Sequence, residues 1–172
     1  MAANVTTVRV EGLEEVVRTL RALPKELVGK RGGPVRMALR SGARVIMEDM
    51  KARLRQIIAE PNVGGRNVST GLLEKNIQIN RGRLRAGTNG EAVIIRVRVK
   101  ADPKESTDEK TVTTAQVARL LEYGTAMREQ MPFIRPAFDA QKQAALDTFV
   151  ADMRQRLPKL VRKLAKQHGV RT

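Results

Sequence analysis

The sequence predicts an α+β fold, in which a small antiparallel sheet built on a β-hairpin is packed by two long helices and shorter helices. Apolar residues recur at three- and four-residue spacing over 34–58 and again over 136–153, as on helices that bury one face. Residues 73–80 and 91–100 instead alternate apolar and polar side chains. A glycine-containing turn lies between these two segments, which is typical of a hairpin.

The domain organisation follows from length and composition. With 172 residues, of which 41% are hydrophobic, the chain can bury a core of its own. We expect one α+β domain over residues 1–158 and a basic C-terminal extension over 159–172. This boundary depends on Pro158, which is expected to break or bend the last helix, and on the lack of any acid after Asp152.

The first elements are weakly marked. Residues 5–10 are rich in β-branched side chains and predict a short strand or an extended arm. Apolar residues at helical spacing follow over 13–23, where Pro24 ends or kinks the helix. A glycine-rich loop over 29–33 then leads to Pro34, a residue suited to the first turn of a helix.

The helix that begins at Pro34 has the clearest pattern. Pro61 ends it, so a length of about 35 to 40 Å is expected. Ala38 and Gly42 are small, which allows either the close approach of another backbone or ordinary side-chain packing. The predicted apolar stripe consists of Val35, Ala38, Leu39, Gly42, Val45, Ile46, Leu54, Ile57 and Ile58.

The second strand of the hairpin has one apolar face and one mostly basic face. We expect Ile95, Val97 and Val99 to face the helices. The alternate side chains must then face outward, because a buried charge without a partner is very unfavourable. The candidate basic contact face consists of Arg96, Arg98 and Lys100.

The remainder of the domain is predicted as a loop and two helices. Residues 102–113 are charged and almost without hydrophobic side chains, so we expect them to be mobile in the free subunit. Thr114 is expected to N-cap a short helix that Gly124 stops. A further long helix follows Pro136. Its predicted inward residues are Ala137, Phe138, Ala144, Ala145, Phe149 and Met153.

The net charge of +15 favours an anionic partner, either a nucleic acid or an acidic protein surface. Charge alone supports no more than non-specific contact with phosphates. The predicted strands also lack the aromatic side chains on which single-stranded nucleic acids stack. A solvated basic face with a charged tail is the structural alternative.

The composition argues against an enzyme. The chain has no Cys and one His, His168, so it lacks thiolate or His-rich metal ligands and a base for its serines. Glu48 and Asp49 are adjacent and point in different directions on a helix. The glycines over 29–33 lack the Lys-Ser/Thr pair of a phosphate-binding loop. We expect no catalytic activity, no cofactor and no metal.

No segment predicts contact with a membrane. Apolar runs fall short of the roughly 20 residues that span a bilayer. The N-terminal residues lack the pattern of a secretory signal. We therefore expect a protein made and kept in a cytoplasm.

The most informative region combines residues 122–125 with residues 132–138. It contains the only Tyr of the chain and two of its three Phe, beside Gly124 and two prolines. Aromatic side chains bury a large area at a low entropic cost, so this concentration indicates a region where order matters. We expect Phe133 to occupy an apolar pocket, whereas Tyr123 and its neighbours either form an interface or pack internally at a corner between helices.

Five segments of the chain, in this order, carry a family resemblance: 12–24, Met37–Ala43, Thr70–Ile77, 118–125 and 132–137. The third has the pattern Thr-Gly-x-Leu-x-x-x-Ile, the fourth contains Glu-x-Gly-Thr, and the fifth has the pattern Pro-Phe-x-Arg-Pro-Ala. Together they resemble the HK97 gp10-like family of tailed-phage morphogenesis proteins, in which the first segment resembles the opening helix and the second the long helix. The chain departs from the family at Thr114-Ala115, where an aromatic-Ala pair is common.

The resemblance implies a structural virion protein, a tail-completion or neck component of the head–tail joining apparatus. It implies a homo-oligomeric ring, a hexamer, that joins the tail tube to the head connector. The partners would be the tail tube or tail terminator protein and a neck or head-completion protein, with non-specific contact to phage DNA. The location would be the virion, at the junction of neck and tail, after assembly in the host cytoplasm.

A ring that closes by head-to-tail contacts needs two different surfaces on each subunit. The resemblance points to the region rich in aromatic residues as one of them. Glu122 is then either a helix-end residue with a local partner or an acid that pairs with an Arg of the next subunit. Arg135 is expected to contact a neighbouring subunit or a carbonyl group. The candidate assembly interface consists of Glu122, Tyr123, Gly124, Thr125, Pro132, Phe133, Arg135 and Pro136.

Overall fold

The computed structural model describes residues 33–59, 71–84, 90–101, 112–127 and 129–167. These residues form mixed helix and sheet, and the predicted α+β class is confirmed. The predicted arm at 5–10, the helix at 13–23 and most of the charged loop at 102–113 lie outside the described residues. In chain order the elements are α1 (Gly33–Ala59), α2 (Leu72–Lys75), β1 (Ile77–Arg81), β2 (Val93–Val97), α3 (Thr114–Tyr123) and α4 (Ile134–Gln167).

The two long helices, α1 and α4, form the body of the domain. Helix α1 has 27 residues and is about 40 Å long, as its apolar stripe predicted. Its first half packs against the middle of α4, and its second half packs against the start of α4, so the two helices are antiparallel. The first contact consists of Val35, Ala38, Phe149 and Met153, and the second of Met50, Leu54, Phe133 and Ala137.

Gly42 is the point of closest approach between these helices. A Cβ atom at this position would lie 2.5 Å from the carbonyl oxygen of Ala145 and 3.5 Å from the Cβ of Phe149. The first of these distances is too short for any side chain. The close approach of a backbone, one of the two alternatives for this glycine, is therefore present.

The hairpin is confirmed, with shorter strands than predicted. Strands β1 and β2 are antiparallel, with Ile77 opposite Val97 and Ile79 opposite Ile95. The prediction that the first strand begins at Leu73 is wrong, because Leu72–Lys75 forms one helical turn. Asn76 ends this turn: its backbone N–H and its side-chain Nδ2 both donate to the carbonyl of Leu72, at 3.2 and 2.7 Å.

The predicted faces of β2 are correct up to the end of the strand. Ile95 and Val97 pack against the core. Val99 is 63% exposed, so its predicted inward position is wrong. The ladder of β2 ends at Val97, and Val99 lies beyond the residues that the helices cover. The outward residues Arg96, Arg98 and Lys100 are all exposed, as predicted.

Helix α4 differs from the prediction in two places. It continues through Pro158 to Gln167, so of the two alternatives for this proline, a break or a bend, the break is wrong, and the proposed boundary at residue 159 lies inside a helix. Phe138 is 45% exposed rather than inward. The inward stripe of α4 follows Ala137, Ala145, Phe149 and Met153, and Phe138 is rotated by about 100° from Ala137, its neighbour on that stripe.

Helix α3 is joined to the sheet at its N-terminus. The N-cap is Thr113, whose hydroxyl forms a capping box with Gln116, and not Thr114 as predicted. Thr114 is 2% exposed. Its hydroxyl donates to the carbonyl of Arg98 at 2.6 Å and accepts from the backbone N–H of Lys100 at 3.0 Å. This side chain therefore fixes α3 against the end of β2.

Candidate functional site

The candidate assembly residues meet at a corner where α3 ends and α4 begins, and Glu122 is at its centre. The side chain of Glu122 is buried, and the whole residue is 2% exposed. Its Oε2 accepts hydrogen bonds from the backbone N–H groups of Phe133 and Ile134, at 3.0 and 2.9 Å. Its Oε1 accepts a third from the N–H of Arg135, at 3.1 Å.

These three contacts complete the start of α4. The first four N–H groups of a helix have no partner within the helix. In α4 the first three belong to Phe133, Ile134 and Arg135, and the fourth position is Pro136, which has no N–H. A single carboxylate thus satisfies every donor at this helix end. Its negative charge also faces the positive end of the dipole of a 34-residue helix.

The return of the chain from α3 to α4 depends on Gly124. This residue has φ 71° and ψ −171°, a conformation that is essentially restricted to glycine. Its N–H donates to the carbonyl of Leu120 at 2.9 Å and ends α3, as predicted. The N–H of Met131 donates to the carbonyl of Leu121 at 2.8 Å and brings the chain back beside α3.

Phe133 anchors the corner in the core. It is fully buried and packs in the cluster that also contains Met50, Leu54 and Ala137. The predicted apolar pocket for this ring is therefore confirmed. Pro132 and Pro136 are both half-buried on either side of it. The aromatic ring, the prolines and the carboxylate together fix the path of the chain at this corner.

The outer side of the corner is formed by Tyr123 and Arg135. Tyr123 is 67% exposed, and the Cζ of Arg135 lies 4.7 Å from the centre of its ring. The Nε of Arg135 lies 3.3 Å from Oε1 of Glu122. Of the two alternatives for Glu122, the structure has the local partner. Thr125 is exposed beyond this pair, and its hydroxyl accepts from the N–H of Met127 at 3.3 Å.

Three further apolar side chains near this pair in the sequence are exposed, which the sequence analysis did not predict. Leu120 and Phe138 are each 45% exposed, and Met127 is fully exposed. Phe138 adjoins Ala137, and periodicity alone predicted that it faces inward. The spacing of Leu120 and Phe138 could have indicated that they are exposed. Leu120 lies three residues before Tyr123 and Phe138 lies three residues after Arg135, so each shares a helix face with an exposed residue.

A groove runs along α3 on the same side. It is lined by the apolar residues Val97, Ala115, Ala118 and Ile134 and by the polar or charged residues Arg119, Glu122, Tyr123 and Arg135. Glu122 already accepts three backbone hydrogen bonds, so it offers little to a ligand. Arg119 is exposed and pairs with no acid among the residues that the structure describes. The groove suits an apolar segment that carries an acidic group.

The basic contact face lies on the other side of the hairpin. Val97 lines the groove, and successive residues of a strand point to opposite faces, so Arg96 and Arg98 point away from it. The structure thus separates the two sets of predicted site residues. No cation of this face takes part in an ion pair within the described part of the chain.

The described residues include no group of three or more His, Cys, Asp or Glu that could hold a metal ion. None of their helices is long and apolar enough to cross a membrane. Comparisons with protein-family models, with curated proteins and with solved structures found no match for this chain. The family resemblance of its sequence blocks therefore stays a prediction.

Proposed function

We propose that this chain is a structural virion protein, a tail-completion or neck protein of the HK97 gp10-like type that forms a ring between the tail tube and the head connector. The observation that carries the proposal is the corner at Glu122. Two sequence blocks that resemble the family, 118–125 and 132–137, form a single unit joined by three hydrogen bonds to one carboxylate. Residues 126–131 separate them in the sequence.

The arrangement of the corner supports assembly. On its inner side Glu122 accepts from every N–H group at the start of α4 and Phe133 is buried, so no ligand is needed to complete it. Its outer side exposes Tyr123 and Arg135, and Met127, which follows α3, is also exposed. Exposed apolar patches on a protein surface often mark contacts with other proteins. Tyr and Arg are also the residue types that most often dominate binding energy at such contacts.

The groove extends the outer side of the corner along α3. It shares Tyr123 and Arg135 with that surface and adds Arg119, which pairs with no acid among the described residues. A head-to-tail contact would join this region to a different surface of the next subunit. We propose that a neighbouring subunit or a tail protein occupies this region, and that six copies close the ring.

A joining experiment tests this function. Purified heads and tails from a phage that lacks the protein are mixed with the protein, and joined particles are counted by electron microscopy. We expect joined particles and six-fold rings at the neck with the wild-type chain. Tyr123→Ala should reduce joining, whereas Arg83→Ala, an exposed residue of the hairpin, should not. Equal joining with and without the protein would contradict the proposal.

The alternative function is a small basic DNA-binding protein with non-specific phosphate contacts. The exposed Arg96, Arg98 and Lys100 favour it. Such a protein binds duplex DNA with an affinity that falls steeply with salt, and it has no effect on the joining of heads to tails. The joining assay therefore separates the two functions, because the alternative requires DNA binding and no joining activity.

A further inference from the structure

We infer that the free edge of β2 accepts an added strand, and that the strand is the arm, residues 5–10, of a neighbouring copy of this chain. The inference rests on the proposed function, because it names the surface of the next subunit that meets the region of the groove. When a strand adds to the edge of a sheet, backbone hydrogen bonds give affinity and alternate side chains give specificity.

The edge of β2 that faces away from β1 has no backbone partner among the described residues. At the end of the ladder, the N–H of Arg98 donates to the carbonyl of Asn76 at 2.8 Å. In an antiparallel pair such bonds involve every second residue, so the N–H and C=O groups of Val93, Ile95 and Val97 point away from β1. No backbone hydrogen bond from another described segment reaches them. Such an edge is a template for another strand.

The two sides of the sheet differ in how well they are covered. Ile77 of β1 is 2% exposed, whereas Val97, directly opposite on β2, is half-buried. Val97 also lines the groove, together with Ala115 and Ala118 of α3. A strand added beside β2 would direct every second side chain to the same side of the sheet as Val97.

The arm has the pattern and the charge that suit this edge. It is rich in β-branched residues, and Val8 and Val10 lie on the same face of a strand. Residues 5–15 contain three acids and one base, in a chain with a net charge of +15. One of these acids, Glu11, directly follows the arm, and Arg119 of the groove pairs with no acid among the described residues. Complementary charge therefore favours this segment.

The position of Gly33 favours the arm of a neighbouring copy over that of the same chain. Residues 1–32 join the domain at Gly33, two residues before Val35, which packs against the middle of α4. The sheet packs instead against the half of α1 from Ile46 to Ile58, about 20 to 37 Å further along the helix. The arm thus joins each subunit at the end away from its own β2. This separation of donor and acceptor suits a head-to-tail ring.

Engineered cysteines test the contact, because the chain has no Cys of its own. Val97→Cys is combined in turn with Thr6→Cys, Val8→Cys and Val10→Cys, so that alternative registers are covered. Opposite side chains on neighbouring strands are close enough for a disulfide. Oxidation is carried out on the concentrated protein alone and on joined particles, and denaturing gels without reductant show the products. The control is Val8→Cys with Met37→Cys, since Met37 is exposed on α1, and urea unfolding verifies that each variant folds.

We expect at least one of the three pairs to give a ladder of cross-linked chains up to the hexamer, and the control to give none. An internally cross-linked monomer would assign the arm to its own chain. Absence of a cross-link in both samples would mean that β2 does not accept the arm. Either result would overturn the inference.

Prolines in the arm test the same contact through the backbone. Successive N–H groups of a strand point in opposite directions, so Thr7→Pro/Val8→Pro removes one donor that faces β2 in any register. Added to the cross-linking pair of Val10 and Val97, this double variant should lose the ladder, and on its own it should lose the joining of heads to tails. Ala2→Pro/Ala3→Pro, outside the arm, should retain both. Normal joining with the arm variant would overturn the inference and leave the proposed function intact. A ladder from a protein that joins no particles would support the inference and contradict the proposed function.

Discussion

The carboxylate of Glu122 accepts a hydrogen bond from the backbone N–H of Phe133 at 3.0 Å, across eleven residues of sequence. With its contacts to the next two N–H groups, this side chain serves α4 as an N-cap that comes from another helix. The end of α3 and the start of α4 are therefore joined through this one side chain. A change at either end of this contact affects both helices and the surface between them.

The first prediction concerns the cap itself. Glu122→Ala leaves three N–H groups at the start of α4 without an acceptor, of which the N–H of Phe133 is buried and those of Ile134 and Arg135 are part-buried. A buried donor without a partner costs about 1 to 3 kcal/mol and a part-buried one costs less, so we expect a loss of about 2 to 5 kcal/mol in the free energy of unfolding. Glu122→Gln retains one acceptor oxygen and should lose less than half as much.

Urea unfolding measures both variants. Glu48→Gln is the matched control, because Glu48 is exposed on α1 and should change stability by less than about 0.5 kcal/mol. If Glu122→Ala were as stable as this control, the carboxylate would not be the cap of α4.

The sequence identified the elements around this corner more easily than their contacts. Some features depend only on residues that are close together in the sequence: the apolar stripe of α1, the hairpin and the end of α3 at Gly124. The spacing of apolar residues and the positions of glycines were therefore enough to predict them. The cap of α4 depends on a residue eleven to thirteen positions away, and local patterns cannot find such a partner. One sign was available: Phe133 occupies the N-cap position, and its side chain has no acceptor, so the cap had to come from elsewhere.

The errors have a common physical origin. Thr114 and Thr113 are equivalent as capping residues in the sequence, and only the position of β2 decides that Thr114 is buried between Arg98 and Lys100. Val99 continues the alternation of β2 beyond the edge of the helices. The capping propensity of threonine and the alternation of β2 were interpreted correctly, but neither shows how far the tertiary packing extends.

The second prediction compares two phenylalanines of the corner. Phe133 is fully buried, so Phe133→Ala should reduce the free energy of unfolding by about 3 to 5 kcal/mol. Phe138 is 45% exposed, and Phe138→Ala should reduce it by less than about 1 kcal/mol. Thermal and urea unfolding of the two variants test the difference. A similar loss in both would mean that Phe133 does not anchor the corner.

The third prediction concerns the contact between α1 and α4. Alanine normally stabilises a helix interior relative to glycine by about 1 kcal/mol. Gly42→Ala should instead destabilise the domain by about 1 to 3 kcal/mol, because the new methyl group meets the carbonyl of Ala145. The control is Gly33→Ala at the start of α1, where nothing lies within 4 Å, and its stability should be unchanged or slightly higher. A stabilising Gly42→Ala would show that the helices are further apart.

The fourth prediction distinguishes two glycines with positive φ. Gly71 has φ 66° and ψ 2°, the left-handed helical conformation that Asn also adopts. Gly124 has a similar φ but ψ −171°, where other residues are strained by about 1 to 3 kcal/mol. We therefore expect Gly71→Asn to be nearly as stable as the wild type, and Gly124→Asn to lose more than about 1 kcal/mol. Equal losses in urea unfolding would contradict this distinction.

The fifth prediction separates stability from assembly at Arg135. This side chain is 59% exposed, so its ion pair with Glu122 is partly screened by water, and Arg135→Ala should change the free energy of unfolding by less than about 1 kcal/mol. The same variant removes the cation over the ring of Tyr123 and should strongly reduce the joining of heads to tails. Arg135→Lys retains the charge without the planar guanidinium, so partial joining is expected. Infectivity and counts of joined particles measure the effect, with Arg83→Ala as the control. Normal infectivity of Arg135→Ala particles would exclude this residue from the assembly contact, because the fold would be intact and the interface unaffected by its loss.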